Sequence, residues 1–222
     1  MKITAYESLC NLGNNINEIY ENAIIGNSEN FDNLYGFFKE GKVRAGKIKV
    51  ELEEIQEQKF NIRCNKFLLK TIKLLQKDIS ILIEKYGKSR IAVVAATTNS
   101  GVDEYEISKN SKHYEIGNPA KFICRYLGLN CYYTTVSTAC SSGLIAFSTA
   151  RDILNNDIAD AVIVACTDAL SKVPIYGFHS LEVLSEKPTM PFSKNRSGMN
   201  MGEACSIFLA EKEADTGIDI LG

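Results

Sequence analysis

The residue with the clearest capacity for chemistry is Cys140, which lies in the run VSTACSSG at 136–143. Residues 131–136 before it are aromatic and β-branched, which predicts a buried strand. From Ser141 onward the apolar residues recur every three or four positions, which predicts a helix. A thiol on the first turn of a helix faces unpaired backbone N–H groups and the positive end of the helix dipole, and both favour thiolate. The pattern therefore predicts a nucleophilic cysteine at a strand-to-helix bend.

The neighbours of Cys140 are small, so a substrate carbonyl could approach its sulfur, and the N–H of Cys140 could donate to the resulting oxyanion. The alternative is a small buried hydrophobe at a helix start, which is a common role of free cysteine. The other six cysteines lie in apolar patterns that predict core packing, namely Cys10, Cys64, Cys124, Cys131, Cys166 and Cys205. Seven cysteines without a C-x-x-C pair indicate reduced thiols.

Composition sets broad limits on the class of protein. The chain has 222 residues, of which 45% are hydrophobic and 23% charged, enough for a substantial core. A net charge of -2 with interspersed signs gives no reason to expect nucleic acid or an anionic membrane as a partner. The first residues turn polar at once and no apolar run approaches the length of a membrane span, so we expect a cytoplasmic protein without a signal peptide.

The elements that must position Cys140 alternate between strands and helices. The expected strands are 2–6, 91–97, 131–136, 161–165 and 202–211. The expected helices follow Asn15, cover 64–86 and 118–127, and begin at Ser141. Residues 27–60 are expected to be loop, 99–118 a polar connection, and 168–190 a mixture of short helix and loop.

This alternation predicts a layered α/β domain with a mostly parallel sheet and helices on both faces. Chemistry in such domains gathers at the carboxyl ends of strands, where the pattern places Cys140. The sequence has no phosphate-binding glycine loop, no metal-ligand spacing and no internal repeat.

Four runs together carry a family resemblance: STACSSG, ADAVIVACTDAL, GFHSLEVLS and PFSKNRSGMNMGEACSIFLAEKE. Their order and spacing resemble the β-ketoacyl-acyl carrier protein synthases, or ketosynthases, of the thiolase-like superfamily. The resemblance extends over 1–222 and implies the amino-terminal domain alone, which is one half of the thiolase-like layered fold.

The resemblance implies a condensing enzyme of fatty acid or polyketide biosynthesis. An acyl group would move from a carrier protein to Cys140, and a malonyl thioester would then decarboxylate and attack the acyl-enzyme. This chemistry requires no metal or cofactor. Phe178 is expected to line the acyl channel, with an ordinary core aromatic as the alternative. The implied partners are acyl- and malonyl-loaded carrier proteins, the carboxyl-terminal half and a second copy of the chain in a homodimer.

The family's second half supplies two histidines, or a histidine and an asparagine, that drive decarboxylation. The two histidines of this chain, His113 and His179, lie outside the positions that the family would use. A lone histidine without a carboxylate partner is a weak candidate for a catalytic base. A segment of a longer protein, one chain of a split enzyme and a truncated product would each give this sequence.

The chain departs from the family pattern at several positions. Ser193 and Ser197 replace two common aspartates, Cys166-Thr167 replaces a glycine pair, and Ala204 replaces a glycine. A Cβ prevents the close backbone approach that glycine allows, so we expect altered packing near the site and a divergent member of the family.

Two functional alternatives stay open. One is a non-catalytic dimerisation or chain-length partner of a ketosynthase, although such a partner has no need of a thiol at the bend. The other is a thiolase-like acyltransferase that acts on coenzyme A esters. Glu203 is expected to hydrogen-bond a loop backbone rather than to act as acid or base. The cations of the 64–86 region, with Arg63 before it, form either a solvated helix face or a docking site for the acidic carrier protein.

Overall fold

A six-stranded sheet forms the centre of the computed structural model, which describes residues 1–27, 30–39, 41–109 and 114–221. The strands are β1 (Lys2–Cys10), β2 (Phe31–Leu34), β3 (Val43–Gly46), β4 (Ile91–Ala96), β5 (Tyr133–Val136), β6 (Ala161–Asp168), β7 (Met201–Gly202), β8 (Ala204–Glu211) and β9 (Ile218–Asp219). The helices are α1 (Ile16–Ile24), α2 (Arg63–Leu74), α3 (Gln76–Tyr86), α4 (Val102–Ser108), α5 (Asn118–Leu127), α6 (Ser142–Asn155) and α7 (Lys172–Ser180).

The sheet has the strand order β5-β4-β6-β8-β1-β9 and mixed strand directions. β4 pairs in parallel with β5 and β6, whereas β8 runs antiparallel to β6 and β1, and β9 antiparallel to β1. The α/β class is confirmed, but the expectation of a mostly parallel sheet is wrong for the half that contains β8, β1 and β9. A continuous apolar run indicates burial on both faces and carries no information on strand direction.

Helices cover both faces of the sheet, as predicted. Alternate residues of β4 point to opposite faces, and every one of them is buried. Ile91, Val93 and Ala95 belong to the core formed with α2, α3 and α5. Ala92, Val94 and Ala96 belong to a second core formed with α6. The carboxyl end of the sheet's parallel part is therefore held between two packed layers.

Three expected segments differ in the structure. The helix predicted over 64–86 is two helices, because the chain breaks at the buried residue Leu75 without any glycine or proline to signal the break. The polar connection 99–118 contains α4. The segment 27–60 is not all loop, since β2 and β3 form a hairpin whose strand β3 pairs in parallel with β7 in a three-stranded second sheet.

β5 is the edge strand of the large sheet, so the prediction of a buried strand is wrong at this position. Tyr132 and Tyr133 are about half exposed. Their aromatic and β-branched neighbours fit a pleated surface whether or not both sides are covered. No helix within the described ranges has both the length and the apolar character needed to cross a membrane.

Candidate active site

Cys140 lies at the bend between β5 and α6, as the sequence predicted. Ala139 has a positive φ of 55°, a conformation that residues with a Cβ rarely adopt. Ala139 is also the first residue of a single turn of 3-10 helix, Ala139–Ser141, which leads into α6. Cys140 is exposed, so the alternative of a buried hydrophobe is wrong. The left-handed residue turns the chain sharply and presents the Cys140 side chain at the surface.

Two serine hydroxyls hold the bend. The buried Ser142 hydroxyl accepts from the N–H of Thr138 at 2.9 Å and donates to the carbonyl of Ala139 at 2.7 Å. The Ser141 hydroxyl donates to the Thr138 carbonyl at 2.8 Å. The sequence pattern predicts that these serines, as small residues, leave room for a substrate. Their positions two and three residues after Ala139 give them a second role, which is to fix the strained turn.

Asp168, at the carboxyl end of β6, organises the loop that follows β4. One carboxylate oxygen accepts from the Thr97 hydroxyl at 2.8 Å and from the N–H groups of Thr98 and Asn99 at 2.9 Å each. The Thr97 N–H in turn donates to the carbonyl of Val136, the last residue of β5. Hydrogen bonds thus connect the ends of three parallel strands. Sequence reasoning missed this role, although a carboxylate directly after a buried apolar strand was a usable signal.

Glu203 forms a bidentate ion pair with Arg63 and also accepts from two backbone groups. These are the N–H of Ile48 at 2.9 Å and the N–H of Leu170 at 3.3 Å. The expectation that Glu203 hydrogen-bonds loop backbone is confirmed. Lys66 and Lys73 pair with Glu54 and Glu53. Three of the cations of α2, namely Arg63, Lys66 and Lys73, therefore make ion pairs within the chain.

The loop that carries the Pro191-Phe192 pair is held by polar contacts between the residues before the pair and the residues after it. The Ser197 hydroxyl lies 2.8 Å from the Ser185 hydroxyl, so a serine pair stands where a carboxylate was expected. Gly198 has a φ of 115°, and a Cβ there would lie 2.5 Å from the carbonyl oxygen of Val183. Phe192, also at positive φ, is fully exposed. The loop is thus fixed at its base and presents an aromatic ring at its tip.

Cys166 shows how the glycine pair is replaced. Its sulfur faces Gly143 on the first turn of α6, 3.7 Å from where a Cβ of Gly143 would be. Burial raises the pKa of the Cys166 thiol to about 11, so it stays protonated at neutral pH. The neighbouring Thr167 is buried, and its hydroxyl donates to the carbonyl of Cys64. The Cys166 side chain therefore fills space next to the first turn of α6, the helix that follows Cys140.

The histidines and Phe178 are placed as follows. Phe178 lies on α7 and is half-buried. The exposed His179 packs its ring against Phe38, with centroids 4.0 Å apart. His113 lies outside the described residues.

A cavity of about 470 Å³ lies among Phe60, Phe122 and the acidic segment 53–57, away from Cys140.

A comparison with protein families found one match, to the model described as beta-ketoacyl synthase, N-terminal domain, at residues 45–216. The ketoacyl synthase alpha subunit of the tetracenomycin polyketide synthase of Streptomyces glaucescens is 31% identical over 86 residues, which cover 36% of this chain and 20% of that protein.

Solved structures show the same fold. The ketosynthase ApeO in complex with its chain length factor ApeC from Xenorhabdus doucetiae matches with a TM-score of 0.88 and 30% identity, over 96% of this chain and 58% of that one. A type II polyketide synthase acyl carrier protein in complex with its ketosynthase, AntDE:AntF, matches with a TM-score of 0.73 and 21% identity, over 95% and 58%. The chain therefore spans little more than half the length of these two solved relatives.

Proposed function

The chain belongs to the β-ketoacyl synthase family, and from this premise we propose that Cys140 is the residue that carries the acyl group in a decarboxylative condensation. The observation that carries the proposal is the strained bend at Ala139, which presents an exposed thiol at the start of a helix. We infer that 1–222 is the amino-terminal domain of such an enzyme.

The first step would transfer the acyl group from a carrier protein. The Cys140 sulfur attacks the thioester carbonyl and the carrier's thiol leaves, taking up the proton that Cys140 gives up. The tetrahedral intermediate places negative charge on the former carbonyl oxygen, and the Cys140 N–H is suited to stabilise it. The Thr138 and Ala139 carbonyls accept hydrogen bonds from the Ser141 and Ser142 hydroxyls, which fixes the backbone that carries the Cys140 N–H.

The second step would be the loss of carbon dioxide from a malonyl thioester and attack of the resulting carbanion on the acyl-Cys140. We propose that the decarboxylating residues come from a carboxyl-terminal half, as the resemblance implies. The packing of His179 against Phe38 supports this, because the ring of His179 already has a structural partner. We propose that Phe178 lines the acyl channel, which its half-buried position on α7 permits.

The outer face of α6 is the surface that we propose is covered by the second half. Leu144 is 77% exposed, and Leu144 and Phe147 line a cavity of about 440 Å³ with Met1 and Ile220. A contiguous apolar surface of this kind is typical of an interface rather than of a free surface. The greater length of the solved relatives gives a candidate for what covers it.

We propose that the outer edge of β5 pairs with a second chain of the same family, in the simplest case a copy of this one. β5 pairs with β4 on one side, and within the described residues no strand pairs with its other side. An unpaired edge invites strand addition. The matched complex of a ketosynthase with a chain length factor supports a two-chain assembly and makes a heterodimer the competing arrangement.

The relatives' names favour polyketide over fatty acid chain extension for this protein. We also place it in the cytoplasm, since all seven cysteines are free and reducing compartments preserve such thiols.

Acyl transfer to the isolated chain tests the proposal. The chain would be incubated with acyl carrier protein or with the matching acyl coenzyme A ester, and the acylated residue located by mass spectrometry. We expect a mass increase of one acyl group from the carrier-protein donor, located on Cys140. Cys140→Ala should abolish it, and Cys166→Ser, which changes a nearby half-buried thiol, should not.

Two outcomes would redirect the assignment. A clear preference for the coenzyme A donor would indicate a coenzyme A-dependent thiolase-like acyltransferase. If a chloroacetamide probe at neutral pH reacts with Cys140 no faster than with the other six thiols, Cys140 is not the nucleophile. The chain would then be better explained as a non-catalytic partner of an active synthase.

A further inference from the structure

Two cysteines away from the bend lie close enough to react with each other. The sulfurs of Cys124 and Cys131 are 3.8 Å apart. Among the sulfur contacts of the described residues, this is the one that joins two thiols. The apolar sequence pattern predicts inert core packing for both residues, and their proximity suggests a different role.

The backbone holds the two thiols together. Cys124 lies near the end of α5 and is 8% exposed, and Cys131 is half-buried just before β5. Gly128 reverses the chain in the left-handed conformation, and the Leu129 N–H donates to the Cys124 carbonyl at 2.9 Å. The Tyr132 carbonyl accepts from Val93 in β4, which anchors the far side of the turn. Backbone hydrogen bonds therefore hold the chain on both sides of the pair.

We propose that Cys124 and Cys131 form a reversible intrachain disulfide when the protein meets a peroxide. A disulfide requires the two sulfurs to come within about 2.05 Å, and side-chain rotation is the natural way to close the remaining distance. This pair is distinct from Cys140 and does not depend on the proposed condensing activity.

The two thiols differ in pKa, and the reaction with peroxide uses this difference because one thiol must ionise first. The Cys124 S–H can donate to the Cys131 sulfur, which lowers the pKa of Cys131 and raises the pKa of Cys124. The Cys131 thiolate attacks one oxygen of hydrogen peroxide, forming a sulfenic acid and releasing hydroxide. The Cys124 thiol then attacks the sulfenic sulfur, forming the S–S bond and releasing water. The two cysteines lose two electrons, which reduce one peroxide to hydroxide and water.

Three other cysteines lack these properties. Burial raises the pKa of Cys64 and brings the pKa of Cys205 to about 12, so their thiols stay protonated and inaccessible. The Cys64 sulfur donates to the carbonyl of Ser100 rather than to another thiol. Cys166 is similarly held in its protonated form. Among the seven cysteines, an intrachain disulfide should therefore form between Cys124 and Cys131, whose sulfurs are already in contact.

The experiment is peroxide treatment followed by peptide mapping. The full chain is treated with hydrogen peroxide, the remaining thiols are blocked with iodoacetamide, and the protein is digested with trypsin without reduction. Cys124 falls in the peptide 122–125, whereas Cys131 and Cys140 share the peptide 126–151. The expected product is these two peptides joined, with a mass about 2 Da below their sum. Reduction with dithiothreitol should separate them.

Variants resolve which sulfur is used. Cys140→Ala should leave the linked product intact, whereas Cys124→Ser or Cys131→Ser should abolish it. Cys10→Ser, which changes another half-buried thiol, is the matched control and should have no effect. The proposal is overturned if no linked peptide forms while Cys131 is oxidised to sulfinic acid, or if the link persists in Cys131→Ser and so involves Cys140.

Discussion

Arg63 and Glu203 form a bidentate ion pair that joins the start of α2 to the start of β8. Arg63 Nε lies 2.6 Å from one carboxylate oxygen of Glu203, and the second guanidinium nitrogen lies 2.7 Å from the other. The Glu203 side chain is 1% exposed. The same guanidinium nitrogen donates to the carbonyl of Ile48. One ion pair thus connects α2, β8 and the segment after β3.

Removal of one partner of this pair should destabilise the fold strongly. We expect Glu203→Ala to lower the free energy of unfolding by about 3–5 kcal/mol, because Arg63 and two backbone N–H groups would lose their acceptor in a buried site. Urea denaturation followed by circular dichroism measures this. Glu54→Ala breaks the more exposed ion pair with Lys66 and is the control, with an expected cost well below that of Glu203→Ala. Equal costs for the two variants would contradict the assignment of Glu203 as the buried anchor.

Asp103 should make stability depend on pH. Burial, aided by the charge of Glu104, raises the pKa of Asp103 from 3.8 to about 7, and one of its oxygens is buried without a hydrogen-bond partner among the described residues. The folded state then holds a proton that the unfolded state releases. Its contribution is present in full below about pH 4 and is lost as the pH rises to about 7. The loss is at most about 4 kcal/mol.

Asp103→Asn tests this pH dependence, because the amide cannot ionise. Between pH 5 and pH 8 the variant should lose less stability than the unmodified protein in thermal or urea unfolding. Asp152→Asn, which changes an exposed aspartate on α6, should keep the original slope. If the Asp103→Asn slope equals that of the unmodified chain, Asp103 ionises normally in the folded state.

The bend at Ala139 should tolerate glycine and reject β-branched residues. Ala139→Gly relieves the strain of the positive φ but adds freedom to the unfolded chain, so we expect a stability change within about 1 kcal/mol. Ala139→Val should cost about 2 kcal/mol, because a branched Cβ clashes in this conformation. The exposed Ala23 on α1 is the control, where valine should cost only about 0.6 kcal/mol. Similar costs at both positions would mean that the bend is unstrained.

Gly198 and Gly177 form a second matched pair. Gly198→Ala would place a Cβ 2.5 Å from the Val183 carbonyl at a φ of 115°, and should cost about 3 kcal/mol or detach the loop locally. Gly177→Ala meets nothing within 4 Å on α7 and should stabilise the protein by about 0.5–1 kcal/mol. Thermal unfolding together with limited proteolysis of the loop separates the two effects. An unchanged proteolysis rate and midpoint for Gly198→Ala would show that the loop adapts freely.

The sequence predicted the bend and several of the elements around it because each has a local signal. β4 and β6 are continuous apolar runs, and α6 has helical spacing after a cluster of small residues. Asn15 was expected to cap α1, and its side chain does accept from the Glu18 N–H. These predictions depend on residues that are neighbours in the chain.

Features set by contacts between distant residues could not be predicted. Arg63 and Glu203 are separated by 140 residues, and no local pattern pairs them. The break at Leu75 has no glycine or proline to mark it, and the antiparallel direction of β8 follows from the path of the chain between elements. Cys124 and Cys131 each fit an apolar pattern, and only the turn at Gly128 brings their sulfurs together.

The hydrogen bonds of the bend begin and end within the five residues 138–142. Such a unit is modular: its geometry is encoded locally and can persist while its surroundings diverge, as they have at Cys166 and Ser197. For protein engineering, these five residues are a cassette that could be transplanted between a strand and a helix of another scaffold. In evolution, the same independence would let the rest of the chain change its partners and packing while Cys140 stays exposed at the bend.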